Sequence, residues 1–237
     1  MYKTSMICGL AMLGLISSGQ CVVTWTGTGG DTDVFNDANW DFGSSSLSAI
    51  DANTEVLDDL VISNATVTSA SGAGFGALLI GDGFSLTLTN SDYSSAGNTD
   101  GISGVASGAQ STINLINSSM NLQFASIGVD FNVDGTSSLQ FRGGGDPINS
   151  QVDTTALNLS VGAELILTTR AEFDEQVTDT GAAGTITANG TEVTVGNMDT
   201  LFSFTGGGPV TGTVVPEPSS MALLGIGGMA LLLRRRK

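Results

Sequence analysis

The amino-acid sequence predicts an all-β protein with a single folded domain. A parallel β-helix, or solenoid, is favoured over an antiparallel β-sandwich or jelly roll. Thr, Val, Ile, Leu and Phe alternate with small polar residues along the chain, and glycine interrupts them frequently. Pro147 is the only proline before Pro209, and no ten-residue stretch shows a helical period. These observations indicate many short strands joined by turns.

Residues 1–21 are predicted to be a signal peptide. Lys3 supplies a weak positive charge, an apolar stretch runs over 6–16, and small residues follow at 17–19. Signal peptidase is therefore a predicted partner, with cleavage expected after Gly19 or after Cys21. This end of the chain predicts export from the cell.

Residues 22–42, at the start of the mature chain, differ from the sequence that follows. The two tryptophans of the chain, Trp25 and Trp40, bracket a loop rich in Gly and Asp. The Trp-Thr-Gly at 25–27 and the Asn-Trp at 39–40 resemble the opening of exported bacterial β-solenoid and autotransporter-like repeat proteins. We expect this segment to be a cap whose tryptophans cover the open end of the core.

The same aromatic residues allow a second hypothesis, a platform for a sugar ring. Trp25 and Trp40 would then stack on the sugar, with Asp31, Asp33 and Asp37 at the edge of the platform. A cap buries the rings, whereas a platform exposes them.

A strand–turn–strand unit recurs five times in the body. Each unit joins two short strands of alternating apolar residues through a turn of Gly, Asn, Asp or Ser, so that one face is buried. The predicted strand pairs are 78–80 with 86–88, 113–116 with 120–124, 129–133 with 139–141, 157–159 with 165–167, and 185–188 with 193–195.

The spacing of these units is irregular. The last apolar residues of successive units are Leu88, Phe124, Phe141, Leu167 and Val195, which are 36, 17, 26 and 28 residues apart. A solenoid accommodates this spacing because its loops vary in length while each coil covers the apolar face of its neighbour. Hairpins at such intervals also occur in sandwiches and jelly rolls, which therefore stay as the alternative.

One of the turns matches the opening of a calcium-binding loop. Asp130, Asn132 and Asp134, followed by Gly135, fit the pattern D-x-[DN]-x-[DN]-G, in which alternate oxygens converge on Ca²⁺. Phe141 stands where a bidentate glutamate would close the loop, and no helical pattern flanks the segment. We favour a β-hairpin with Asp134 and Gly135 as its turn, and keep Ca²⁺ as the only candidate cofactor.

The chain ends in a pattern of three parts, namely a Pro-Glu-Pro triplet, an apolar run over 221–233 and a basic cluster. The residues that define it are Pro216, Glu217, Pro218, Arg234, Arg235 and Arg236. The pattern, placed at 215–237, resembles the PEP-CTERM sorting signal of exported bacterial proteins. The resemblance implies an exosortase, a membrane transpeptidase-like enzyme, as the partner that cuts the chain near the triplet.

The apolar run predicts a C-terminal transmembrane helix that holds the protein before processing. As a helix this run would be roughly 20 Å long, shorter than the ~30 Å hydrocarbon core, so its retention in the bilayer would be marginal. The basic cluster has the composition of a cytoplasmic flank. The predicted route is an inner-membrane intermediate followed by the cell surface or the extracellular matrix.

Nearly all positive charge lies in the two terminal signals. Residues 22–214 hold two basic side chains, Arg142 and Arg170, against 22 acidic ones, a net charge of −20 compared with −16 for the full chain. Such a body repels nucleic acid, which is therefore excluded as a partner. The chain contains no histidine, which excludes Ser-His-Asp and His-based zinc chemistry. Cys8 is expected to be lost with the signal peptide, so Cys21 has no partner for an intramolecular disulfide in the mature chain.

These observations predict an exported, non-enzymatic structural protein of the cell surface or biofilm matrix, associated with exopolysaccharide or other surface glycans. One alternative is a carbohydrate-binding adhesin module. The other is a β-helix polysaccharide hydrolase that uses two carboxylates. The acidic groups considered for it are Asp31 with Asp33, Asp58 with Asp59, and Glu172 with Asp174 and Glu175.

Overall fold

The computed structural model describes residues 21–69, 78–95, 102–104, 110–123, 125–126, 129–143, 148–149, 156–178 and 185–216. Residues 1–20 of the predicted signal peptide and the predicted C-terminal helix lie outside these ranges. Within them, no helix is both long enough and apolar enough to cross a bilayer.

Strands are the main regular secondary structure of the described residues. In chain order the strands are β1 (Val22–Trp25), β2 (Trp40–Asp41), β3 (Glu55–Val56), β4 (Asp59–Ser63), β5 (Thr66–Ser69), β6 (Leu78–Ile80), β7 (Ser85–Thr89), β8 (Asp92–Ser95), β9 (Ile102–Gly104), β10 (Ser111–Ile116), β11 (Ser119–Leu122), β12 (Ala125–Ser126), β13 (Val129–Val133), β14 (Ser138–Phe141), β15 (Ile148–Asn149), β16 (Ala156–Leu159), β17 (Glu164–Leu167), β18 (Thr185–Ala188), β19 (Thr191–Glu192), β20 (Phe202–Thr205) and β21 (Val210–Val214). The helices are α1 (Arg170–Thr178), α2 (Met198–Leu201) and a 3₁₀ turn at Asp37–Asn39.

The strands form a β-solenoid, so the favoured fold is confirmed. Sheet A has the order β19-β18-β16-β13-β10-β7-β4-β1-β2, sheet B the order β20-β21-β17-β14-β11-β8-β5, and sheet C the order β15-β12-β9-β6-β3. From β3 to β17 the chain visits sheets C, A and B in turn, and each strand pairs in parallel with its equivalent in the next coil. Neighbouring coils thus cover each other's apolar faces.

The alternating apolar residues of the strands stack in register inside the solenoid. In sheet A, Leu60, Leu86, Ile113, Phe131 and Leu157 occupy equivalent positions on successive strands, and all are buried. Successive sheet A strands are 26, 27, 18, 26 and 29 residues apart between β4 and β18. Because strand residues alternate between faces, the residues between these apolar positions point outward.

Four of the five predicted units are corners of the solenoid and not hairpins. β13 lies in sheet A and β14 in sheet B, so the expected hairpin with Asp134 and Gly135 as its turn is wrong. The units of β6 with β7, β10 with β11 and β16 with β17 are corners as well. Alternating strands and turn residues are common to a corner and a hairpin, so the pattern alone does not separate them.

Only the last unit is a hairpin. β18 and β19 pair in antiparallel fashion, and β19 occupies Thr191–Glu192 instead of the predicted 193–195. Val195 lies beyond the strand and is 54% exposed.

Asparagines turn the chain at the corner between sheets A and B. Asn64, Asn90 and Asn117 have φ angles of 53°, 49° and 48°, a left-handed conformation that asparagine tolerates better than most residues. Their side chains stack, with Asn117 Nδ2 donating to Asn90 Oδ1 at 2.8 Å and Asn90 Nδ2 to Asn64 Oδ1 at 3.2 Å. The corner therefore repeats from coil to coil, which keeps the flanking strands in register.

Antiparallel strands close both ends of sheet A. β2 pairs with β1 at the N-terminal end, and β19 pairs with β18 at the C-terminal end. In sheet B, β21 and β20 add an antiparallel pair beyond β17. These closing strands cover parallel edges that could otherwise pair with another chain.

Candidate functional site

Trp25 and Trp40 lie inside the N-terminal end of the solenoid. They face each other across the β1–β2 pair, with ring centroids 5.2 Å apart and planes at 87°, and their exposed fractions are 8% and 6%. Trp40 Nε1 donates a hydrogen bond to the Val34 carbonyl at 2.8 Å. Stacking on a sugar requires an open ring face, and neither ring presents one.

The Gly/Asp-rich loop between the tryptophans is organised around the Asp31 carboxylate. Asn36 Nδ2 donates to Asp31 Oδ2 at 2.8 Å, and Asn39 Nδ2 donates to Asp31 Oδ1 at 2.7 Å. The Asp33 amide also donates to Asp31 Oδ1, at 3.1 Å. Hydrogen bonds from Asn36, Asn39 and Asp33 lower the pKa of the Asp31 carboxyl below its usual value of 3.8, because they stabilise its charged form.

The other two acids of the proposed platform bind backbone amides. Asp33 Oδ1 accepts from the Phe35 amide at 3.1 Å, and Asp37 Oδ1 accepts from the Ile50 amide at 2.9 Å. All three acidic residues therefore hold the loop in its conformation.

The candidate calcium ligands lie along β13 and the corner that follows it. Asp130 and Asn132 point outward from the strand, between the buried Val129, Phe131 and Val133. Burial raises the pKa of the Asp130 carboxyl, and a hydrogen bond with the Ala156 backbone only partly offsets that effect.

The third candidate ligand, Asp134, is already surrounded by donors. Asp134 Oδ1 accepts from the Ser137 hydroxyl at 2.6 Å and from the Thr136 amide and hydroxyl at 3.0 and 2.9 Å, and Oδ2 accepts from the Asn117 amide at 3.1 Å. Burial opposes its ionisation, but these hydrogen bonds outweigh that effect and lower the pKa of the carboxyl. In the described part of the chain, no three Cys, Asp or Glu side chains form a group suited to a metal ion.

Acids that are adjacent in sequence have separate structural roles. Asp58 Oδ2 accepts from the Ser45 hydroxyl, whereas Asp59 Oδ1 accepts from the Ser85 amide and hydroxyl at 2.8 and 2.9 Å. In α1, Glu172 Oε2 accepts from the Thr168 amide at 2.9 Å, while Asp174 forms an ion pair with Arg170 at 3.4 Å. These contacts give each of these acidic residues a role within the fold that does not involve a substrate.

A groove that the sequence predictions missed runs along the outer face of sheet A. Its volume is about 500 Å³. Its floor is a row of polar side chains on five neighbouring strands, namely Thr87, Asn114, Asn132, Asn158 and Thr187. One wall is formed by turn residues that follow the strands, among them Asp134 after β13 and Asn189 in the turn between β18 and β19. A sequence signal for the floor exists, since apolar–Asn–apolar triplets recur at 113–115, 131–133 and 157–159.

The asparagines of the floor are bonded to one another; we call Asn114, Asn132 and Asn158 the asparagine ladder. Asn132 Nδ2 donates to Asn114 Oδ1 at 3.0 Å, and Asn158 Nδ2 donates to Asn132 Oδ1 at 3.1 Å. Thr87 accepts from Asn114 at 3.3 Å, and Thr187 donates to Asn158 at 2.9 Å, so the row continues at both ends. The ladder fixes these amides in one orientation.

The C-terminal end is closed by three phenylalanines. The ring of Phe173, on α1, lies 5.0 Å from that of Phe204 and 6.3 Å from that of Phe202. The Arg170 guanidinium lies 3.8 Å from the centre of the Phe204 ring and also binds Asp199 at 2.9 Å. Sequence reasoning missed this cluster because its members come from separate elements.

The chain leaves the folded body through β21. The Val214 amide donates to the Ala163 carbonyl at 3.0 Å, and the Val215 amide donates to the Leu201 carbonyl at 2.9 Å. Pro216 follows at once and, of the six residues that define the predicted sorting motif, is the one inside the described ranges. Glu217, Pro218, Arg234, Arg235 and Arg236 lie outside them.

Comparison with protein families gives one match, the PEP-CTERM protein-sorting motif, over residues 214–237. No curated protein and no solved structure matches the chain. The motif therefore begins at the last residue of β21. The protein thus carries a PEP-CTERM sorting motif directly behind a β-solenoid, and this motif indicates export and exosortase-dependent sorting to the cell surface.

Proposed function

We propose that the protein is a non-enzymatic structural component of the cell surface or extracellular matrix, and that it is associated there with exopolysaccharide. The observation that carries the proposal is the direct connection between the sorting motif and the end of a solenoid closed at both ends. Such a body has the regular, self-contained construction of a surface scaffold. In this proposal the chain passes through a membrane intermediate before exosortase processing.

The roles of the acids support the non-enzymatic part of the proposal. A two-carboxylate hydrolase needs one acid that donates a proton and a second that is free to act as base or nucleophile. Asp31, Asp58, Asp59 and Glu172 instead accept hydrogen bonds from neighbouring residues of the fold. In a structural protein we would expect carboxylates to be used in this way, as hydrogen-bond acceptors that stabilise the fold.

The net charge of the body restricts the kind of polysaccharide with which it can associate. A net charge of −20 over residues 22–214 keeps copies apart and disfavours acidic polymers, so that neutral matrix polysaccharide is the more compatible neighbour. We therefore propose association with matrix polysaccharide, with the solenoid as the part that the glycan surrounds.

The test is cell fractionation of the full chain and of a variant lacking residues 216–237. We expect the full chain in the surface and matrix fractions and the truncated protein in the culture medium. Identical partitioning of the two proteins would contradict exosortase-dependent delivery.

A matched variant separates processing from membrane retention. Pro216→Ala, Glu217→Ala and Pro218→Ala combined remove the triplet but leave the apolar run and the basic cluster. We expect this protein to accumulate at the membrane with its tail attached. Extraction of the matrix with a polysaccharide-degrading enzyme should release the processed wild-type protein, and retention after that treatment would contradict the association with exopolysaccharide.

A further inference from the structure

The outer face of sheet A offers a regular array of side-chain amide groups. An asparagine side chain has two N–H donors and two oxygen lone pairs. Within the asparagine ladder, each residue uses one N–H and one lone pair on its neighbours in the row. One donor and one acceptor per asparagine therefore stay unused by the ladder, and Asn132, at its centre, is exposed.

The spacing of these groups is set by the sheet. Adjacent strands lie about 4.8 Å apart, so the row from Thr87 to Thr187 spans roughly 19 Å along the solenoid axis. Such a row repeats the same donor and acceptor at equal intervals. A ligand with repeating units along an extended chain matches this arrangement better than a single compact molecule does.

The charge of the groove restricts the ligand further. Among its lining residues Asp134 is the single ionisable side chain, although the body of the protein carries 22 acidic groups. Both oxygens of Asp134 already accept hydrogen bonds from Thr136, Ser137 and Asn117, which leaves it poorly suited to a cation. An acidic polymer would meet no basic residue in the lining and would be repelled by the body.

We infer that this groove is a binding site for neutral segments of a polysaccharide chain, which lie along the solenoid axis and exchange hydroxyl hydrogen bonds with the asparagine ladder. The inference rests on the proposed association with exopolysaccharide and assigns that association to one face of the fold. Each sugar hydroxyl can both donate and accept a hydrogen bond, as each asparagine of the ladder can. The hydrogen bonds within the asparagine ladder fix the amides before a ligand binds, and this lowers the entropic cost of binding.

The test compares variants of the full-length chain, expressed in the cells that make it. The ladder variant combines Asn114→Val, Asn132→Val and Asn158→Val. Valine suits a strand, and Val61 already occupies the equivalent position on β4, so the fold should tolerate the change. The control variant combines Asn121→Val and Gln140→Val, which removes a bonded amide pair, 3.0 Å apart, on sheet B.

The probes are the neutral and acidic fractions of the exopolysaccharide from the same cells, and affinity electrophoresis gives the dissociation constants. We expect the wild type and the control to bind the neutral fraction alike. The ladder variant should bind it at least about tenfold more weakly, since several hydrogen bonds are lost together. Equal binding by ladder variant and control, stronger binding of the acidic fraction, or no binding of the neutral fraction by wild type would each overturn the inference.

Folding is checked separately by thermal denaturation of each variant. If the triple variant unfolds, Asn132→Asp is the substitute, because it keeps the side-chain shape while it removes the amide donors and adds charge. It should weaken binding of the neutral fraction as well, and unchanged binding would overturn the inference. If the wild type is found in the matrix and the ladder variant is retained equally, only the groove assignment fails. If the wild type never reaches the matrix, the proposed function fails.

Discussion

The two ends of the solenoid are closed in different ways. At the N-terminal end, one continuous segment over 22–42 supplies both tryptophans, the Asp31 carboxylate and the asparagines that bind it. At the C-terminal end, Phe173, Phe202 and Phe204 come from α1 and β20, and Arg170 lies over one of the rings. The first end is built from local hydrogen bonds, and the second from aromatic packing between distant segments.

This difference shows which kinds of structural feature can be predicted from a sequence. A local hydrogen-bonded loop requires particular residue types at fixed separations. Its pattern can therefore be recognised within a stretch of about twenty residues. An aromatic cluster needs only large apolar side chains that meet in space, and many positions in the chain satisfy that requirement.

The largest effect is expected for Trp40→Ala. The change opens a cavity beside Trp25 and removes the donor to the Val34 carbonyl, so we expect a loss near the upper end of about 3–5 kcal/mol in the free energy of unfolding. Chemical denaturation measures it. Trp40→Phe, which keeps a ring but not the N–H, should lose less. A variant that stays fully stable but no longer binds glycan would support the platform hypothesis instead.

Phe173→Ala should be the next most severe change. Phe173 is 1% exposed and contacts the rings of Phe202 and Phe204, so its removal is expected to cost about 3–5 kcal/mol. Phe204→Ala is the matched control and should cost less, because Phe204 is only partly buried. Equal losses for the two variants would contradict the expectation that the more deeply buried ring contributes more to the free energy of unfolding.

Two glycines allow the ends to be compared with the same substitution. A Cβ on Gly29 would lie 2.6 Å from Asn39 Oδ1, whereas a Cβ on Gly212 would lie 3.0 Å from the Phe204 ring. We expect Gly29→Ala to cost about 1–3 kcal/mol and Gly212→Ala less, since the clash at Gly29 is tighter and involves hydrogen-bonded amides. Gly207→Ala, with no atom within 4 Å of the new Cβ, is the control. Melting temperatures in the reverse order would contradict the comparison.

A smaller effect, which depends on pH, is expected for Asp31→Asn. The pKa of the Asp31 carboxyl is below its usual 3.8 in the folded protein, so this group stabilises the fold above that pH. The contribution is lost as the pH falls through the lowered pKa of the folded state. The variant should therefore melt below the wild type at pH 7, and the difference should close under strongly acidic conditions. Asp51→Asn, at an exposed position nearby, is expected to show neither effect.

Much of the solenoid was predictable because each coil obeys local rules. The alternation of apolar and polar residues predicted β7, β10, β11, β13, β14, β16, β17 and β18 of sheets A and B, and the turn residues marked the turns between them. The period was misread because Leu88 lies in sheet A, whereas Phe141 and Leu167 lie in sheet B, so residues from different sheets were compared. Comparison within sheet A gives intervals of 26, 27, 18, 26 and 29 residues.

Other features left little signal in the sequence. Apart from β6, the strands of sheet C were not predicted, because two or three residues, as in β3 and β12, are too few for alternation to emerge. The helix α1 was missed because its apolar positions form no clear stripe, and its buried face includes Glu172 and Gln176. The groove along sheet A depends on which coils are neighbours, and this is known only once the register of the strands is known.

The position of β21 has a mechanical consequence. The sorting motif begins where β21 ends, so a pull on the tail is transmitted directly to this strand. β21 is hydrogen-bonded to β17 on one side and to β20 on the other, and Val215 is tied to Leu201 just beyond it. An edge strand can be peeled away one bond at a time, whereas this interior strand must break contacts with two neighbours together. A body tethered by this end would load β21 against both of its neighbouring strands at once.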